Sequence, residues 1–165
     1  MKAPLIDIFE FCRLKEEREG EVAVADLSRL AGEATDKSGI LHWSLQGGFN
    51  KTGHLQLMLQ VSGPVQLRCQ RCLTPFAFPI DSESTLVLAT DEKSADEIDK
   101  LLDDEMVEVI VGSREFDIAG LIEDEALLAL PLAPKHEVCP ASAALDVPET
   151  VKKDSPFSVL KNLKQ

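Results

Sequence analysis

The chain has 165 residues, 44 % hydrophobic and 28 % charged, enough apolar content for one packed domain with a tail. Its 29 acidic residues outnumber 17 basic ones for a net charge of −12, which argues against an indiscriminate nucleic-acid binder working by counterion release. No apolar run approaches the roughly 18 residues of a membrane span, and "MKAPLIDIFEFCRLKEER" turns charged too early for a secretory leader, so cytoplasm is the expected compartment.

Asp7 with Glu10 three residues later fits a variant capping box, and Ile8, Phe11 and Cys12 share one face of a predicted helix over 7–17. Asp26 is the expected cap of a second helix carrying Leu27, Leu30 and Ala31. From Ile40 the period becomes two. Leu41, Trp43 and Leu45 alternate with polar residues, and after "GGFNKTG" so do Leu55, Leu57, Leu59 and Val61, which predicts a β-hairpin. Gly63-Pro64 is expected to break the strand, with Val65, Leu67 and Cys69 resuming the alternation. Phe76, Phe78 and Ile80, then a run over 84–89, continue an antiparallel meander with one wet face.

Between Asp91 and Glu108 nine acidic residues face only Lys93 and Lys100, so 91–105 reads as a charged linker or a solvated helix. "MVEVIVG" at 106–112 reads as a strand. Asp117 caps a predicted helix from 118 to about 130, stopped by Pro131. Past Pro134 the chain is rich in Ala, Pro, Ser and Lys, the composition of a flexible tail. It ends in "DSPFSVLKNLKQ", where Phe157, Leu160 and Leu163 give a short helix one apolar edge. The expectation is α+β: an antiparallel β-meander of four to six strands, open or closed into a barrel, with flanking short helices. Residues 1–134 form the domain and 135–165 the tail.

The chemistry concentrates in "VQLRCQRCLTPF". Cys69 and Cys72 at C-x2-C spacing bring two sulfurs within reach of one ion, and zinc then wants two more ligands. His136 and Cys139 are the sensible second pair, three apart and bounded by Pro134 and Pro140; Cys12, His42 and His54 are the other candidates. The competing reading is two reduced cysteines beside a β-turn. A thioredoxin-like site would need its C-x-x-C to open a helix, whereas β-type residues flank this one on both sides. Glu123-Asp124-Glu125 could offer a divalent-metal platform, but consecutive helical residues point in different directions. His42 and His54 belong to the wet face of the hairpin, and Trp43 to the core. No nucleotide-binding loop or hydrolase motif is present.

"VSGPVQLRCQRCLTPFAFPI", "FDIAGLIEDEALLALPLAPKHEVC" and "SPFSVLKNLK", in that order, resemble the signature stretches of the YceD proteins of bacteria, the DUF177 family. The resemblance implies a role in accumulation of 23S ribosomal RNA, through its synthesis, processing or stability, and no established enzymatic activity. Some relatives carry a more cysteine-rich second half, of which this chain keeps His136 and Cys139. Ser155 stands where the family often has Asn.

A non-catalytic assembly factor is the favoured reading. Arg68 and Arg71, in a stretch from 64 to 80 without acid, would touch RNA phosphate. Phe157, Leu160, Lys161 and Lys164 of the tail would add a second contact, and the acidic segment 91–108 would touch basic ribosomal proteins. The alternative is an acidic adaptor or chaperone for a basic ribosomal protein, without RNA contact. Neither reading involves a membrane or a small-molecule substrate, and zinc at Cys69, Cys72, His136 and Cys139 is the candidate cofactor.

Overall fold

The computed structural model describes residues 5–102 and 107–140. The chain runs α1 (Ile8–Arg13), β1 (Glu17–Ala23), a 3-10 turn (Val24–Asp26), α2 (Ser28–Glu33), β2 (Ile40–Phe49), β3 (Leu55–Arg68), β4 (Pro75–Ala89), α3 (Glu92–Leu102), β5 (Val107–Val111) and α4 (Ile118–Leu128). The five strands lie side by side in chain order in one open sheet, so the α+β expectation holds and the barrel does not.

Asp7 caps α1, its Oδ1 accepting from the N–H groups of Phe9 (3.0 Å) and Glu10 (3.1 Å). The helix is shorter than expected. It stops at Arg13, Lys15 takes a positive φ of 54°, and the chain turns into β1. That strand escapes sequence pattern because Glu17, Arg18, Glu19 and Glu21 make it almost wholly charged, as suits a sheet edge. Gly20 pairs with Trp43, and a Cβ there would meet the indole at 3.0 Å.

Gly63-Pro64 does not end β3. Its pairing with β2 stops at Ser62, but β3 and β4 continue together to Arg68 opposite Pro75 as a ribbon whose Val65 and Leu67 stay in the main core and whose Gln66 bridges to Asp36. Pro64 and Pro79 stand opposite each other where neither β2 nor β5 is alongside, so no third strand needs their missing N–H. Gly63 has φ 147°, and a Cβ would lie 2.5 Å from the Ile40 carbonyl oxygen.

The last strand corrects the meander. β5 pairs with β4 in parallel, because the acidic segment forms α3 and carries the chain across the sheet. Ile98 of α3 packs on Val87 and Ala89, making a small second core. The main core lies on the opposite face, where Leu41, Leu45, Leu57, Leu59, Val61, Leu86 and Leu88 meet Ile8, Phe11, Leu30, Ile118 and Ile122. Among the described residues no helix is long and apolar enough to cross a membrane.

Candidate metal centre at the ribbon tip

The β3–β4 ribbon closes through a tight turn in which Cys69 N–H donates to the Thr74 carbonyl (3.0 Å) and Leu73 N–H to that of Cys69 (2.9 Å). Leu73 sits at φ 61°, the left-handed geometry that glycine ordinarily supplies. Both cysteine side chains are thereby turned to one side. The segment after α4 returns to meet them. Gln70 N–H donates to the Pro134 carbonyl (2.9 Å), Arg71 donates from its guanidinium to the carbonyls of His136 and Glu137, and the Phe76 ring packs 4.8 Å from that of His136.

These contacts bring the donor atoms of Cys69, Cys72, His136 and Cys139 within 4.8 Å of one another. Cys69 Sγ lies 3.7 Å from Cys139 Sγ, and Cys72 Sγ lies 3.4 Å from His136 Nδ1. Zinc–ligand bonds of about 2.3 Å to sulfur and 2.0–2.1 Å to nitrogen, at tetrahedral angles, put such edges at about 3.8 and 3.6 Å. Two edges of the donor tetrahedron are therefore already set to the dimensions of that ion. Cys69 is fully buried, and the other three are half-buried.

Burial would raise the Cys69 thiol. The N–H groups of Cys72, His136 and Arg71, with the His136 side chain, outweigh it and lower the pKa to about 5. Cys139 goes the other way, raised by burial and by its sulfur neighbours Cys69 and Cys72. One thiolate is thus ready in advance and its partner holds a proton to be displaced, the electrostatics of a metal-binding turn.

The rejected candidates are elsewhere. Cys12 is buried in the main core, its pKa raised by burial and partly offset by a Gly48 N–H. His42 faces Glu21 at 3.3 Å, and His54 bonds Thr52 in the β2–β3 turn. The Glu123-Asp124-Glu125 platform does not form. Glu123 accepts from the N–H groups of Arg29 (2.6 Å) and Leu30 (3.2 Å) on α2, Asp124 pairs with Arg29, and Glu125 accepts from Ser82. Asp26 is accordingly not the cap of α2; a carboxylate from α4 serves instead. Arg68 is exposed beside the turn. Phe157, Leu160, Lys161 and Lys164 lie outside the described residues. Thr74, Phe76 and Pro134, which complete the tip, carried no sequence signal beyond the prolines that bound the second pair.

No solved structure matches the chain. A protein of Haemophilus influenzae named large ribosomal RNA subunit accumulation protein YceD is 37 % identical over 123 residues, covering 67 % of this chain and 68 % of the relative. The model of the family described as large ribosomal RNA subunit accumulation protein YceD matches residues 57–164, a span that opens on β3 and takes in the ribbon and all four candidate ligands. The chain belongs to the YceD family.

Proposed function

We propose that this chain promotes accumulation of large-subunit ribosomal RNA as a non-catalytic cytoplasmic factor, acting on the synthesis, processing or stability of 23S rRNA during subunit assembly. The description shared by its family and its relative points to that process. The observation that carries the molecular reading is the donor set at the ribbon tip. Three sulfurs and one imidazole would complete a tetrahedral ion and leave no position for a substrate, which supports a structural role.

Zinc fits this donor set, and when bound it supplies a cross-link between the β3–β4 turn and the segment after α4. The chain's own residues prepare that cross-link. Phe76 holds the His136 ring, Thr74 Oγ1 lies 3.1 Å from Cys72 Sγ, and Arg71 gathers the His136–Glu137 carbonyls. Arg68 faces outward, and its planar guanidinium suits two oxygens of one phosphate. Arg71 adds positive charge alongside, and Phe157, Leu160, Lys161 and Lys164 supply the second contact that two arginines alone would need. Arg68→Glu should reduce co-sedimentation with large-subunit precursor particles and lower 23S rRNA, while metal content and thermal midpoint stay unchanged. Normal co-sedimentation with normal 23S rRNA would overturn the RNA contact.

One observation favours the adaptor alternative. A groove of about 870 Å³ between α3 and the β4–β5 edge is lined by Glu83, Glu92, Asp96, Asp99 and Glu108, a surface suited to a basic ribosomal protein. Ribonuclease treatment of purified complexes separates the two readings, since a partner retained after digestion supports the adaptor.

A further inference from the structure

We propose that the C-terminal segment of this same chain, residues 154–165, docks in the mixed polar and apolar groove beside the ribbon tip. The groove has a volume of about 440 Å³. Leu67 of β3, Leu127 in the last turn of α4, and Leu130 and Leu132 past its end line it together with Glu33, Arg68 and Gln70. Leu132 in this lining is fully exposed, an apolar side chain that water covers poorly.

The path of the chain names the occupant. Pro134 lines the groove, its carbonyl is bonded to Gln70 of the opposite wall, and Cys139 is held 3.7 Å from Cys69. The described chain therefore ends at Pro140, within a few residues of the groove mouth. Of the 25 residues that follow, Leu145, Val147 and Val151 are spread singly, whereas Phe157, Val159, Leu160 and Leu163 cluster, with Lys161 and Lys164 beside them. Even as a random coil, the stretch from Pro140 to Phe157 spans about 23 Å, and at full extension about 56 Å. A tether of that kind gives an effective concentration in the millimolar range, so an affinity of only ~0.1 mM keeps the groove filled about ten to one. A second copy at micromolar concentration cannot compete with that. Docked, the segment lays its apolar edge on the leucines and brings Lys161 and Lys164 toward Glu33 and Arg68. Arg68 and Arg71 of the tip and Lys161 and Lys164 of the segment then share one surface.

The test uses the full-length, metal-loaded chain. Carboxyl–amine zero-length coupling, read by mass spectrometry in the monomer fraction, should join Glu33 to Lys161 or Lys164, with no dependence on protein concentration. Amide exchange over residues 127–134 should quicken about tenfold in Phe157→Asp, and equally in Leu132→Glu, whose exposed site leaves the fold intact. Three outcomes overturn the proposal. They are coupling found only in a dimer fraction, protection of 127–134 that appears only when ribosomal particles are added, and exchange unchanged in both variants.

Discussion

Glu123 is where the structure replaces a sequence expectation with a different physical role, and the two roles predict different experiments. Its carboxylate is 7 % exposed and accepts the N–H groups of Arg29 and Leu30, two of the donors that a helix start leaves unpaired. Leu27, at the cap position of α2, offers no side-chain acceptor. Loss of a cap costs about 1 kcal/mol, and the ionised acceptor together with the buried Leu30 N–H left behind adds about 1–2 more. The ion pair to Arg29 adds at most a few tenths, since that side chain is 53 % exposed. Glu123→Ala should therefore destabilise the domain by about 2–3 kcal/mol, lowering a urea midpoint by about 1 M. Glu123→Gln keeps an acceptor and should lose about 1 kcal/mol, and Asp124→Asn under about 0.5 kcal/mol. All three losses should be the same with and without added magnesium or manganese. An alanine variant within about 0.5 kcal/mol of wild type, or a loss that appears only when divalent ions are present, would refute the capping argument.

Chelation of the metal-loaded protein should lower its thermal midpoint by about 10 °C, the loss of roughly 2.7 kcal/mol that a ligand at a hundred times its dissociation constant provides; Cys72→Ser should show the lower midpoint from the outset. In the reduced, metal-free chain, folding lowers the Cys69 pKa to about 5 from an ordinary 9.0, so the native state holds fewer protons than the unfolded state between those values. Stability should thus climb as pH rises from about 5 and be lost as pH falls through it, a slope that denaturant titration should find missing in Cys69→Ser. Cys139, with its pKa raised, acts in the opposite sense above the ordinary thiol range, where the curve should turn down. Leu73→Gly should stabilise the fold by about 0.5–1 kcal/mol, because Leu73 is exposed and held at φ 61°; a loss by calorimetry would mean its side chain is needed at the tip.

Where side chains are set by local rules, the sequence was legible. Period-two alternation gave β2 and β3, Asp7 and Asp117 cap the helices predicted for them, and Pro131 follows the end of α4. What escaped depends on partners far along the chain. Glu123 caps a helix 94 residues away, β1 is a strand only because Trp43 and its neighbours receive it, and Gly63-Pro64 continues because β4 runs alongside. The parallel β5 was hidden because an acidic run conceals Ile98, the one buried residue that seats α3. At the site, spacing proposed both ligand pairs. Choosing His136 and Cys139 over Cys12, His42 or His54 required the fold, since only Pro134, Arg71 and Phe76 show how the chain returns across 64 residues.

The overall charge of −12 speaks less about the tip than about its distance from the acid. The acidic groove begins at Glu83, eight strand residues from Pro75, which at about 3.3 Å per residue is about 26 Å along β4. Screening in physiological salt decays over about 8 Å, so three such lengths leave about one twentieth of the groove's field at the turn. The nearby balance decides instead. There Arg68, Arg71 and Lys135 stand against Glu33, Glu137 and the Cys69 thiolate, and Arg71 already has the His136 and Glu137 carbonyls as partners. A metal bound by the four candidate ligands would tie His136 and Cys139 to the turn. With its two charges set against three thiolates, it would leave the tip near neutral on a chain whose total charge is −12.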